Sequence, residues 1–253
     1  MSGGRIELGI GAGWFDAEHT AYGIPFPGLG ERFDRLDEQL QVITGLWGTP
    51  AGQTFEFAGE YYQLKDSPAL PKTTQRPHPP IVIGGLGPRR TPSLVARFAD
   101  EFNVPFAGVE VVEQLNVGID RACETNDRDP SSVVRSVAQV LCVGSDEADI
   151  ARGAKEMSVY YNYFFAWFKN EREITQALMS PLSDEDLKNP MVSPEVMRTN
   201  NVVGDAATVI GRLKAYEAMG YDEYSFWIDT GMSFERKKAS LERFIADVMP
   251  AFA

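Results

Sequence analysis

The stretch PPIVIGGLGPRRTPSLVARFADEFNVPF, residues 79–106, decides the fold. Its apolar start, Ile81-Val82-Ile83, is β-branched and uninterrupted, as in a strand covered on both faces of a parallel sheet. Gly84 and Gly85 end it. A short helix is expected at 91–99, with Thr91 as N-cap and Pro92 at its first position. DEFNVPF (100–106) then returns as a second strand. Strand, glycine turn, helix and strand in succession make a βαβ unit, whose two strands lie parallel.

The same alternation runs outward in both directions. Upstream, RIELGIG (5–11) is a strand. Residues 30–47 form a helix with Phe33, Leu36, Leu40, Ile43 and Trp47 on one face, stopped by Gly48 and Pro50. TFEFAGEYYQL (54–64) reads as a hairpin with AGE at its turn, and the proline-rich segment 67–80 runs along the surface. Downstream come a helix at 110–126, a strand at 133–144, and a helix from 146 that continues into the aromatic stretch SVYYNYFFAWF (158–168). Residues 169–199 are polar and irregular, an insertion or lid. A Gly204-Asp205 turn starts an amphipathic helix that ends at Gly220. A last strand (221–229) and a closing helix (233–252) complete the chain. Five core strands result, at 5–11, 79–85, 100–106, 133–144 and 221–229, each followed by helical sequence. An open doubly wound sheet and part of a (β/α)8 barrel both satisfy this pattern.

Charge and composition narrow the function. The net charge of −12 argues against nucleic acid and anionic membrane surfaces as partners, since both need clustered Lys and Arg. No apolar run reaches the length of a membrane span, and no signal-peptide pattern opens the chain, so a cytoplasmic protein is expected. Cys123 and Cys142 lack metal-ligand spacing and are expected as buried thiols. With only His19 and His78 present, a His-rich metal site is excluded. GxSxG, SxxK and HExxH are all missing, which leaves nucleophilic hydrolysis and zinc proteolysis without support.

Ligands in either architecture sit at the carboxyl ends of the strands. After the first strand comes Gly11-Ala12-Gly13-Trp14. It is not the GxGxxG dinucleotide fingerprint, because Trp14 and Asp16 stand where glycine is needed. Bare backbone there suits either a flat ligand, with Trp14 stacked beside it, or close packing of neighbouring strands. Gly84-Gly85-Leu86-Gly87-Pro88-Arg89-Arg90 offers exposed N–H groups, a helix N-terminus and two cations: a phosphate cradle, or an ordinary tight βα turn with solvent-facing arginines. His19 is an acid–base candidate or a surface-loop histidine. Tyr160, Tyr161, Tyr163, Phe164, Phe165, Trp167 and Phe168 form core, an interface helix or a pocket lining.

Two segments, RIELGIGAGWFDAEHTAYGIPFPGLGERFDRLDEQLQVITGLW and SPALPKTTQRPHPPIVIGGLGPRRTPSLVARFADEFNV, together resemble the luciferase-like monooxygenase superfamily. The likeness is specific over residues 3–106, looser over 201–249 and weak over 158–200. It implies a TIM barrel that uses reduced FMN or the deazaflavin F420. It also implies that SGGR and the glycine strand after it form the fourth barrel strand, so that three βα units, roughly 90 residues, are absent and about five remain. The chain is then one luciferase-like domain, 1–253, with an irregular insertion at about 158–200. A misassigned start codon, a truncated gene and a true loss of the first units are all open.

The resemblance carries the cofactor phosphate onto Gly84, Gly85, Leu86, Gly87, Arg89 and Arg90, and the ring wall onto Gly11, Ala12, Gly13 and Trp14. No catalytic residue and no metal ligand carries over. The function it implies is oxygenation of a small organic substrate by reduced FMN and O2, with a flavin reductase as a possible partner. Flavin-using relatives often show HDxRY before the helix. Leu29-Gly30-Glu31-Arg32-Phe33 stands there instead, which leaves F420-dependent hydride transfer open. A catalytically inactive remnant that binds flavin or only self-associates is the third reading. The unpaired edges of a partial barrel suggest a homodimer.

Overall fold

A computed structural model describes residues 2–105, 107–169, 174–175, 178–228 and 230–253. In chain order the elements are β1 (Leu8–Ile10), α1 (Asp16–Ala21), α2 (Leu29–Gly48), β2 (Phe55–Ala58), β3 (Gln63–Ser67), β4 (Ile81–Gly84), α3 (Arg90–Phe98), β5 (Glu101–Pro105), α4 (Val109–Thr125) and β6 (Val134–Val143). There follow α5 (Glu147–Lys169), the two-residue strands β7 (Ile174–Thr175) and β8 (Leu178–Met179), α6 (Pro194–Asn200), β9 (Val202–Gly204), α7 (Ala206–Ala218), β10 (Glu223–Trp227) and α8 (Phe234–Arg243). The chain divides into two compact units. One comprises Met1–Trp14, His19–Asn103 and Val117–Val134; the other comprises Phe15–Glu18, Val104–Asn116 and Arg135–Ala253.

In the first unit β4 is the middle strand. β1 pairs with it in parallel, Leu8 opposite Ile81 and Ile10 opposite Ile83. β5 pairs with it in parallel on the other side, Val82 opposite Glu101 and Gly84 opposite Asn103. Ile81, Ile83 and Phe102 are fully buried, as the unbroken apolar run implies. α2 buries Leu36, Leu40 and Val42. A two-pronged ion pair clasps α3 to it: Arg97 donates to both carboxylate oxygens of Asp37 at 2.5 and 2.9 Å. The β2–β3 hairpin turns at Gly59, and the Glu38 carboxylate of α2 accepts the amides of Glu60, Tyr61 and Tyr62 at 2.7, 2.9 and 3.0 Å.

In the second unit β6 is central and buried on both faces. Val140 and Cys142 pack on Ile150, Ala154, Met157 and Tyr161 of α5 and on Met197 of α6. Leu141 and Val143 point the other way, onto Val202, Val209 and Val248. β10 pairs with the first half of β6, from Glu223 opposite Ser136 to Trp227 opposite Val140, and β9 pairs with the second half; both are parallel. Asp205, Ser193 and Ser233 cap α7, α6 and α8 through their side chains. Cys123 and Cys142 are free, buried thiols, as expected.

Several boundaries differ from expectation for identifiable reasons. β1 starts at Leu8 rather than residue 5, because the Gln75 side chain takes both the N–H and the carbonyl of Ile6. Thr91 does not cap α3. The N-cap is Arg89, which offers no side-chain acceptor, and Thr91 is buried one position inside the helix. β9 is a sixth strand where the sequence suggested only a turn; three residues carry no alternation to read. α5 takes in the aromatic stretch as one helix through Lys169. The closing helix becomes a π-helical turn at Phe244–Val248 and a 3-10 turn at Met249–Phe252, where Pro250 breaks the α-helical ladder. Phe106, Asp229 and the side chain of Phe168 lie outside the described residues.

Two predictions follow from the second unit. Burial, helped by the Asp149 charge, pushes the Cys142 thiol up to about 11. Cys142 should therefore resist alkylation in the folded protein at about pH 8 and react on unfolding; rapid native labelling, read by mass spectrometry, would contradict this burial. Burial alone would also raise the Asp149 carboxyl, but the Ser145 N–H and the Arg236 guanidinium reverse this and hold it below its ordinary value of 3.8. A folded pKa below the unfolded one stabilises the protein above the ordinary value, and the stabilisation is lost as pH falls through the depressed value. Asp149→Asn should thus lose less stability than wild type as the pH falls through and below the ordinary carboxylate value of 3.8 in urea titrations.

Candidate functional site

Two chain segments meet at the carboxyl edge of the first unit's sheet. Ile10 lies opposite Ile83 in parallel register, so Gly11 and Gly84 follow side by side where β1 and β4 end. The sequence placed its candidate residues at these two points, and the register brings them together.

The first segment is the β4–α3 loop. A Cβ added to Gly84 would stand 3.2 Å from the Asn103 carbonyl oxygen. Gly85 has φ +147 and donates its N–H to that same carbonyl at 3.3 Å. On Gly85 or Gly87 a Cβ would stand 3.4 or 3.2 Å from Oγ1 of the buried Thr91. Thr91 thus packs under the loop, and only glycine lets the loop lie flat on the start of α3. The first turn of α3 holds no acidic side chain, and its N-cap supplies no acceptor. Its leading N–H groups are open to an anion. Leu86 is exposed at the tip.

The two arginines of this loop have different fates. Arg90 donates to the Gly30 carbonyl at 3.2 Å, pairs with Asp34 at 2.5 Å and lies 5.4 Å from the centre of the Phe33 ring. It fastens the loop to α2. Arg89 is exposed and has no hydrogen-bond or ion-pair partner among the described residues. It is the cation left for a ligand. An open helix N-terminus, a loop that a Cβ would crowd and an unpaired arginine together fit a phosphate group.

The second segment is the end of β1. A Cβ on Gly9 or Gly11 would meet nothing within 4 Å, so close strand packing does not explain these glycines. They present bare backbone to open space, which suits a flat ring. Gly13 has φ +78, and its carbonyl accepts a 2.6 Å hydrogen bond from Arg32 of α2. Trp14 follows, 45% exposed. His19 is not in a loop; it sits in α1, half-buried, with its ring 4.6 Å from Phe26. Arg32 covers that Phe26 ring at 4.0 Å. Sequence reading missed this role of Arg32, since nothing in a linear pattern says that its side chain reaches back 19 positions to Gly13. Among the described residues, no group of three His, Cys, Asp or Glu side chains is placed to hold a metal.

The profile of the luciferase-like monooxygenase family matches residues 1–223. The chain belongs to that family. It is 44% identical, over its whole length and 69% of the relative's, to the oxygenase component of a flavin-dependent trigonelline monooxygenase from Acinetobacter baylyi. It is 33% identical to an F420-dependent glucose-6-phosphate dehydrogenase from Microbacterium testaceum over half of this chain and 38% of that one. Among solved structures, it matches an F420-dependent secondary alcohol dehydrogenase at TM-score 0.74 and 16% identity, over 99% of this chain and 70% of the other. Monooxygenase RslO1 from Streptomyces bottropensis matches at TM-score 0.73 and 19% identity, over all of this chain and 70% of the other. The fold is therefore of the TIM-barrel type, and the family is one of oxidoreductases that use a flavin-type cofactor. No described helix is long and apolar enough to cross a membrane.

The glycines differ in a way that can be measured. Gly13→Ala forces a side chain into a left-handed conformation and should cost about 1–2 kcal/mol. Gly11→Ala meets open space and should stay within about 0.5 kcal/mol of wild type. Equal losses in urea unfolding would mean that the Gly11 face is packed rather than open.

Proposed function

We propose that the chain is a flavin-dependent monooxygenase that oxygenates a small organic substrate using reduced FMN and O2. The observation that carries the reading is the flat glycine cradle at Gly84–Gly87, open at the N-terminus of α3 and adjoining the bare Gly9–Gly11 backbone. The identity to a flavin-dependent monooxygenase along the whole chain supports it.

In this reading Gly84, Gly85, Leu86 and Gly87 form the cradle for the cofactor phosphate, Leu86 and Gly87 through their backbone N–H groups, and Arg89 adds a charged hydrogen bond. Arg90 holds the loop in place from Asp34. Gly11, Ala12 and Gly13 leave a flat face for the ring, and Trp14 walls it. When bound, reduced flavin supplies two electrons, so that one oxygen atom of O2 enters the substrate and the other leaves as water. The protein's part is to orient the ring and the substrate and to keep water out. The reading takes residues 1–253 as one domain with an irregular insertion at about 158–200, working in the cytoplasm as a homodimer. Its reduced flavin comes from a separate reductase, in keeping with the Acinetobacter relative being the oxygenase component of its monooxygenase.

F420-dependent hydride transfer is the second reading. The same phosphate cradle serves that cofactor, and Leu29–Phe33 lacks the His, Asp and Tyr that often mark flavin-using relatives. An inactive remnant is the third.

The test is binding of FMN and of F420, followed by fluorescence, to wild type and Arg89→Ala. Losing one charged hydrogen bond of about 1.5–3 kcal/mol should weaken cofactor binding roughly ten- to hundredfold. FMN binding should then be followed by turnover with a flavin reductase, with trigonelline as the first substrate tried. Binding of F420 alone would favour the second reading. Failure of a folded chain to bind either cofactor would leave the third.

A further inference from the structure

The second unit holds a cavity of about 500 Å³ beside β10. β10 contributes Tyr224 and Phe226 to its lining, the end of α7 contributes Tyr216, and the C-terminal turns contribute Phe244, Met249 and Phe252. A volume of this size suits a small organic molecule. Four of the rings form an unbroken series. Tyr216 lies 6.3 Å from Tyr224, Tyr224 lies 6.1 Å from Phe226, and Phe226 lies 5.1 Å from Phe244, centre to centre. The tyrosines of this series turn their hydroxyls away from the opening. Tyr216 accepts from Gln139 at 2.7 Å and donates to the Ala107 carbonyl at 3.2 Å, deep in the unit. The Tyr224 hydroxyl is sealed from solvent, and burial raises its pKa well above the ordinary value of 10, so the ring stays neutral. What these residues offer a ligand is therefore ring surface.

The charged side chains around the cavity are all of one sign. They are Glu217, Asp222 and Glu223, and no Lys, Arg, His, Asn, Gln, Ser or Thr is among the described residues that line it. Glu217 and Glu223 are exposed and make no hydrogen bond or ion pair among the described residues. Asp222 accepts the Arg135 backbone N–H at 3.0 Å, which leaves its charge in place. An anion would meet three like charges here, and a neutral polar ligand would find no side-chain amide or alcohol to bond. A cation with an apolar body is matched twice, by the negative faces of the rings and by the carboxylates. Asp222 and Glu223 stand where β10 begins, and Val137 lies near the start of β6. The reaction's ligands in this fold type sit at the opposite, carboxyl ends of the strands. We propose that this cavity is an accessory binding site for a small organic cation with an aromatic or branched apolar body, such as a quaternary ammonium. Bound there, the ligand ties the C-terminal turns to β10 and α7 and so stabilises the second unit. The proposal goes beyond the flavin reading and does not depend on it.

The experiment titrates the full chain calorimetrically with benzyltrimethylammonium, benzyl alcohol and phenylacetate, with and without FMN. These probes share a ring and differ in charge. Wild type should bind the cation about tenfold or more tightly than the alcohol, and the anion least. The double variant Glu217→Gln/Glu223→Gln should weaken the cation about threefold or more at low salt and leave the alcohol unchanged. Phe252→Leu keeps an apolar side chain but removes a ring face, and should cut the cation's advantage by a similar factor. Circular dichroism checks folding, and the glutamine pair, both at exposed positions, decides alone if the leucine variant fails to fold. No binding of the cation, or equal affinity for cation and alcohol, overturns the proposal. An advantage kept in full by either variant also overturns it, since attraction to the net charge of −12 needs none of these groups. Loss of cation binding on saturation with FMN overturns it too, by placing the cation at the cofactor site. Failure of the flavin reading looks different: wild type then binds no FMN, yet its preference for the cation persists.

Discussion

The candidate site depends on the first turns of α2, which hold two loop ends at once. Arg32 reaches from that helix to the Gly13 carbonyl, and Arg90 reaches to it from the other loop, onto Gly30 and Asp34. Neither loop has ladder partners of its own at these points. The parallel register of β1 and β4 puts their ends side by side, but register says nothing about where the chain goes after the last paired residue. Two charge-assisted hydrogen-bond sets at one helix, one donated from it by Arg32 and one accepted by it from Arg90, supply that information. The loop ends are thus held at α2, one where Arg32 meets the Gly13 carbonyl and the other where Arg90 meets the Gly30 carbonyl and the Asp34 carboxylate.

Much of this was legible in the sequence. The unbroken Ile81-Val82-Ile83 run, the glycines after it and the return at Phe102–Val104 name a buried parallel unit, and all three paired strands of the first unit lie where the pattern puts them. α2 was legible from its spacing, with Leu36 and Leu40 buried as expected. What escaped was short or long-range. β9 is too brief to show a period, and α1 is a six-residue helix with no buried face. Thr91 looked like a cap because residue type favours it. It is instead drawn under the loop, where its Oγ1 fills the space the glycines leave. That choice is made by tertiary packing, which no local preference encodes.

The second unit shows the alternative use of charge. Arg236 is shared between Asp149 and Glu156, and Arg243 lies 3.6 Å from Asp149. Both arginines also donate to backbone carbonyls, of Asp149 and Val143. These cations sit inside a compensated network and brace α8 against α5 and β6. A network of this kind is a structural device, because each charge already has its partner.

Arg89 and Arg90 bring both uses of charge into adjacent positions. The sequence presents them as a pair, and composition treats them alike. The helix geometry separates them: position 90 is the first residue of α3 and faces Asp34, while position 89 is the N-cap, exposed and without a partner among the described residues. An arginine bound into an ion pair contributes rigidity and little attraction for a ligand. One left open at a helix N-terminus adds a full charge where the helix already presents partial positive charge. The loop therefore needs both residues. Arg90 without Arg89 would be a fixed but weakly charged turn, and Arg89 without Arg90 would be a charge on a loop with nothing to hold its aim.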